Sequence, residues 1–218
     1  STESKGETRS GKTSTTEQLL EIAKETFNTF VEELKNKKTR IIPTENIKTL
    51  AQASLTGLTI ALNIKAIVED FQNDMAYLDG RGEGIHANTS RQKEEVFKNV
   101  DVPAFKKFIR DNGGIAAYLN FIYQHEKSHI INKDGAKYPK NKDGTTDIMH
   151  PDSIAIERSA NAYAFEKIGF KVTETTELID ELEDGVRNAL IQSLARAKND
   201  RDTDPISSVK GKTDEELE

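Results

Sequence analysis

The sequence predicts an α+β domain dominated by helices, with a small sheet. Three observations carry this expectation. Long segments repeat apolar residues at three- and four-residue intervals, only two short runs read as strands, and caps and glycines punctuate the segment ends. The domain is expected over residues 16–197. Residues 1–15 hold no large apolar side chain and residues 198–218 hold three scattered ones. Neither stretch buries enough surface to offset the entropy of ordering it, so both are expected to be mobile tails.

Taken in order, Ser14-Thr15-Thr16-Glu17 has the pattern of a capping box ahead of an amphipathic stretch reaching about Leu34. Leu19, Leu20, Ile22, Ala23, Phe27, Phe30 and Val31 share one helical face. Arg40-Ile41-Ile42 is a short strand candidate ended by Pro43. A second helical region is expected from about Thr44 to Leu78, with a break at Gly57. The glycine-rich run 79–84 then interrupts the chain, and Gly84–Thr89 is the other strand candidate. A short helix should start at Asp101-Val102-Pro103 and stop at Asn112-Gly113-Gly114. The next helix is expected over Ile115–Ile131. A loop follows with Asn-Lys-Asp-Gly at 132–135 and 141–144, both turn signals. Helices are expected from about Ser153 to Ile168, stopped by Gly169, and from about Thr176 to Lys198.

Composition narrows the function classes. A net charge of −6, with acids and bases interspersed, opposes a nucleic-acid partner, which needs a basic face or stripe. The lysines of 35–38 and 137–142 form only short clusters and read as solvated surface. With no cysteine, disulfides, thiolate metal sites and cysteine nucleophiles are excluded together. No apolar run is long enough for a membrane span, so no membrane partner is expected. The chain opens on Ser1 with no signal segment, and the expectation is a protein of the cytoplasm or one released by processing of a longer precursor. No sequence feature specifies an oligomeric state.

One constellation carries chemistry. His125-Glu126-Lys127-Ser128-His129 places two imidazoles one turn apart on the same helical face, from where both reach a single ion about 2 Å from each ring nitrogen. Glu126 projects from a neighbouring angle, suited to accepting a proton from a metal-activated water. Zinc takes a third protein ligand and leaves a fourth position open in catalytic sites. Glu157, on the helix after the loop, is the candidate third ligand. Ala160 and Ala164 give that helix a small-residue face for close packing. Asn161, one turn past Glu157, is placed to hydrogen-bond the far nitrogen of a ligating imidazole.

His125-Glu126-x-x-His129 followed by Glu157-x-x-Ala160-Asn161-x-x-Ala164 resembles the gluzincin branch of the zincin-like metallopeptidases, over about Ile115 to Gly169. The resemblance implies a zincin-like catalytic core with a small sheet, whose edge strand binds an extended protein or peptide substrate. It implies Zn2+ held by His125, His129 and Glu157, with Glu126 as general base in peptide hydrolysis. Asn161 stands where that family often has Asp. The tetrahedral oxyanion needs a further donor, for which His150, Tyr138 and His86 are candidates; His150 is equally a candidate third ligand or a loop residue without a role.

Two other readings are weaker. Gly6–Thr13 matches the letters of a phosphate-binding P-loop, but no apolar strand precedes Gly6 to hold such a loop rigid. A non-enzymatic structural or interaction module on a degenerate zincin scaffold would also suit the long helices and charged tails.

Overall fold

Thr15 opens the first helix. Its hydroxyl accepts the Gln18 backbone N–H while the Gln18 side chain takes the Thr15 N–H, so the capping box sits one residue later than the sequence suggests. From there α1 runs over Thr16–Leu34 and buries Leu19, Ala23, Phe27 and Phe30. The computed structural model describes residues 14–82, 90–172 and 184–202. The expected tail to residue 13, the Gly6–Thr13 segment, the strand candidate Gly84–Thr89 with His86, and the tail beyond 202 thus lie wholly or largely outside the described residues.

The fold is α+β and mostly helical. Its sheet is where expectation and structure part. In place of a helix from Thr44 there are strands β2 (Ala51–Ala53) and β3 (Thr59–Leu62), preceded by β1 (Arg40–Pro43). Leu55 and Leu58 sit at helix-like spacing, yet both are exposed, on the turn between β2 and β3. That turn is built by polar groups. The Ser54 hydroxyl accepts the N–H groups of Leu58 and Thr59, and Gly57 takes φ of 73°, where a side chain would be strained. Within β3, burial alternates, with Ile60 and Leu62 fully buried, the period of a strand rather than a helix.

The strand order is β1-β3-β2, with β1 parallel and β2 antiparallel to β3. Strand β2 is therefore an edge. Leu50 C=O and Ser54 N–H bond toward β3, so the alternation of an antiparallel ladder turns the backbone groups of Ala51 and Ala53 to the unpaired side.

Asn63 caps α2 (Ile64–Leu78) by accepting the Ala66 N–H, so this helix begins twenty residues later than the expected start at Thr44. A short helix, α3 (Arg91–Val96), capped by Ser90, has no counterpart in the sequence reading. Its six residues bury only Val96, too little to make a period visible. Asp101 caps α4 (Val102–Asp111), and Gly113 and Gly114, at φ of 125° and 61°, turn the chain into α5 (Ile115–Ile131) as expected. Helix α5 is the axis of the fold: α1, α2, α4, β2 and β3 pack on it, as does α6 (Pro151–Ile168). It buries Ile115, Tyr118, Leu119, Phe121, Ile122 and Tyr123 along its first half. Against it α6 lays Ala160 and Ala164, both fully buried, and Phe165, whose ring stacks on Phe121 at 5.1 Å. Gly169, at φ of 81°, ends α6.

The chain divides into two compact units, 1–172 and 173–218. The second unit holds α7 (Asp184–Asp202), which continues past Lys198, where a tail was expected to start. Among its described side chains Val186, Leu190, Ile191 and Leu194 are exposed. No described helix is long and apolar enough to cross a membrane.

Candidate metal centre

The second half of α5 changes from apolar to polar without leaving the interior: Glu126, Ser128 and His129 are all buried. Buried polar groups need partners: those of His129 come from α6 and from the turn between the helices, that of Ser128 from Asn132 at the end of α5, and Glu126 faces β2. One ligand atom each from His125, His129 and Glu157 lies within 4.8 Å of the other two, a group able to hold a metal ion. The two Nε2 atoms are 3.1 Å apart. His125 Nε2 lies 3.1 Å from Glu157 Oε2, and His129 Nε2 lies 3.6 Å from Glu157 Oε1. Ligands about 2.0–2.1 Å from a tetrahedral ion stand roughly 3.3 Å from one another. The separation of the two Nε2 atoms and that of His125 Nε2 from Glu157 Oε2 match that spacing.

The far side of each ring fixes which nitrogen faces the centre. His125 Nδ1 donates to Asn161 Oδ1 at 2.7 Å, the contact that the Glu157–Asn161 spacing anticipates. His129 Nδ1 donates to the Asp134 carboxylate at 3.0 Å. With both Nδ1 atoms protonated, neutral rings turn two Nε2 lone pairs toward each other and toward a carboxylate. Such a set of acceptors at these distances calls for a cation or a shared proton. Without a metal the proton supplies it. Burial alone would depress His129, but Glu157, Glu126 and Asp134 outweigh it and push its pKa up to about 9. Burial would raise Glu157, yet hydrogen bonds from His125 and His129 hold it well below the usual carboxylate range. The donor set, two imidazole nitrogens and one carboxylate with oriented outer partners, suits zinc.

Asp134 is the partner the sequence reading missed. The first Asn-Lys-Asp-Gly signals a turn, and it is one: Lys133 at φ of 55° reverses the chain after α5 into a 3-10 turn over Asp134–Ala136. That reversal swings Asp134 back under His129, where it is buried. A carboxylate five residues past a candidate ligand, across a tight turn, was the signal available. Gly135 lets this turn lie against the turn between β2 and β3, since a Cβ there would stand 2.4 Å from the Leu55 carbonyl oxygen.

Tyr138, one of three candidate donors, reaches the group: its hydroxyl donates to Glu157 Oε1 at 2.8 Å and lies 3.4 Å from His129 Nδ1. Burial, then the neighbouring Glu157 charge, holds the phenol well above its ordinary pKa, so it stays a donor. His150 is committed elsewhere. Its Nδ1 accepts the Asp152 N–H at 3.0 Å, making it the N-cap of α6.

Glu126 lies beside the group rather than in it. Burial raises its pKa, His125 and His129 pull it down, and Glu157 adds to the rise. The Ala53 backbone N–H, on the unpaired side of β2, faces its carboxylate and pulls the pKa back down. A buried carboxylate of raised pKa therefore neighbours the candidate ligands on one side and the edge strand β2 on the other. Comparison with known proteins found no matching family model, no similar curated protein and no similar solved structure.

Proposed function

We propose that this protein is a zinc-dependent metallopeptidase in which Glu126 is the general base. The observation that carries the proposal is the convergence of His125, His129 and Glu157 with a buried fourth group, Glu126, beside them and facing the edge strand β2. Structural zinc sites are closed by four protein ligands, whereas catalytic ones keep three and leave a position for water or substrate. Among the described residues the candidate group has three members. This favours hydrolysis over a purely structural zinc site or an interaction module.

When bound, zinc would supply Lewis-acid polarisation of the scissile carbonyl and make a water acidic enough to attack at neutral pH. The rest falls to the chain. His125 and His129 would bind through Nε2, their rings fixed by Asn161 and Asp134. Glu126, its basicity raised by burial, would take the water's proton and return it to the leaving amine. On the edge of β2 the Ala51 C=O already accepts the Thr49 hydroxyl and the Ala53 N–H faces Glu126, so the Ala51 N–H and the Ala53 C=O are the groups that would pair with an extended peptide, as strand edges do. The substrate is thus a protein or peptide segment in extended conformation.

The test is cleavage of a peptide library and of unfolded proteins by zinc-loaded protein, read as new termini by mass spectrometry. Glu126→Gln should lower the rate by about 10²–10⁴-fold with zinc content unchanged. Full zinc occupancy with no cleavage of any peptide would point instead to a non-catalytic zinc protein.

A further inference from the structure

Resting on the metal-centre reading, we infer that Tyr138 is a positioning residue that restricts Glu157 to ligation through one oxygen and so keeps a coordination position free. The two carboxylate oxygens of Glu157 have unlike partners. Oε2 faces His125 Nε2 at 3.1 Å, whereas Oε1 receives the Tyr138 hydroxyl at 2.8 Å. A carboxylate oxygen that already accepts a hydrogen bond from a neutral donor is a weaker ligand than its bare twin, because the donor has drawn on the same negative charge. Oε1 is also held toward the phenol, 3.6 Å from His129 Nε2.

The hydroxyl is itself anchored. Tyr138 follows the Asp134–Ala136 turn, and its oxygen lies 3.4 Å from His129 Nδ1. One short segment between α5 and α6 therefore reaches both helices: Asp134 holds the His129 ring on α5, and Tyr138 holds the Glu157 carboxylate on α6. Carboxylates bind metals through one or both oxygens with little difference in strain. Without the hydroxyl, Glu157 would be free to close on the ion with both oxygens and fill the position that water or substrate needs. Tyr138 then matters for coordination number more than for affinity, a distinction that a merely structural tyrosine would not make.

The experiment replaces zinc with Co2+ in the wild type and in Tyr138→Phe, reading the visible absorption of the cobalt centre alongside its dissociation constant. The wild type should show the intense bands of a four-coordinate ion. The Phe variant should keep its melting temperature and bind Co2+ within about tenfold of wild type, but with weak bands of a five- or six-coordinate ion. In a Glu157→Gln background, where the amide offers one oxygen, the same substitution should leave the spectrum unchanged. If Tyr138→Phe fails to fold, Tyr138→Met removes the hydroxyl while keeping apolar bulk, and the same reading applies. Unchanged bands in the Phe variant would overturn the inference while leaving the metal centre standing. A wild type that takes up no Co2+ would overturn the metal centre itself.

Discussion

The crossing of α5 on α6 and the three-stranded sheet both border the candidate centre, but they contribute in different currencies. The helix pair supplies side chains: His125 and His129 from α5, Glu157 and Asn161 from α6. The sheet supplies backbone. What reaches Glu126 from β2 is the N–H of Ala53, from a strand whose three residues are Ala51, Gln52 and Ala53. A side-chain ligand can be replaced by nothing but a similar side chain, whereas a backbone donor survives nearly any substitution except proline. The two regions should therefore respond to mutation very differently.

The largest expected effect is on the helix pair. Glu157→Ala removes the only candidate ligand from α6, and metal affinity should fall by at least about 100-fold, beyond what loss of an outer-shell partner costs. Competition titration against a chelator of known affinity measures this. Next come the residues that orient the rings. Asn161→Ala and Asp134→Ala should each weaken metal binding by roughly 10- to 100-fold, with the melting temperature of the metal-loaded protein following. If Asp134→Ala were silent, the turn after α5 would serve folding alone.

The sheet should behave in the opposite way. Most substitutions of Ala53 should leave Glu126 its partner, and Ala53→Pro is the exception. Its missing N–H faces the unpaired side, so the β2–β3 ladder should survive, as proline is tolerated on edge strands. Glu126 would then lose the backbone N–H that faces it, lowering peptide cleavage by about tenfold with metal affinity unchanged. A collapse of the sheet, seen by circular dichroism, would mean that the Ala53 N–H points into the ladder.

The same contrast explains how much was legible in the sequence. Helix α5 could be bounded from residues 115 to 131 because two glycines precede it and its apolar density is high. The metal group could be named because helical spacing converts position into direction. Of the sheet, β1 could be read as Arg40-Ile41-Ile42 ended by Pro43, but β2 and β3 could not. Strand β3 offers four residues, too few to separate from a helical turn, and Leu55 and Leu58 mimic helical spacing from an exposed turn. Asp134 and the Tyr138–Glu157 bond were hidden for another reason: both depend on how the loop reverses at Lys133, a left-handed residue that no composition rule singles out.

The central claim is that His125, His129 and Glu157 share one cation. Zinc titration of metal-free protein at several pH values tests it most directly. Raised to about 9, the pKa of His129 means that the ring is protonated at neutral pH, and zinc must displace that proton. The same shift stabilises the metal-free fold fully below about pH 6.5, and that contribution is lost as pH rises through about 9. The account predicts one zinc per chain, with affinity rising about tenfold per pH unit between pH 7 and 8 as a single proton is released. Zinc uptake that is absent, or that persists undiminished when His125, His129 and Glu157 are all replaced by alanine, would contradict it.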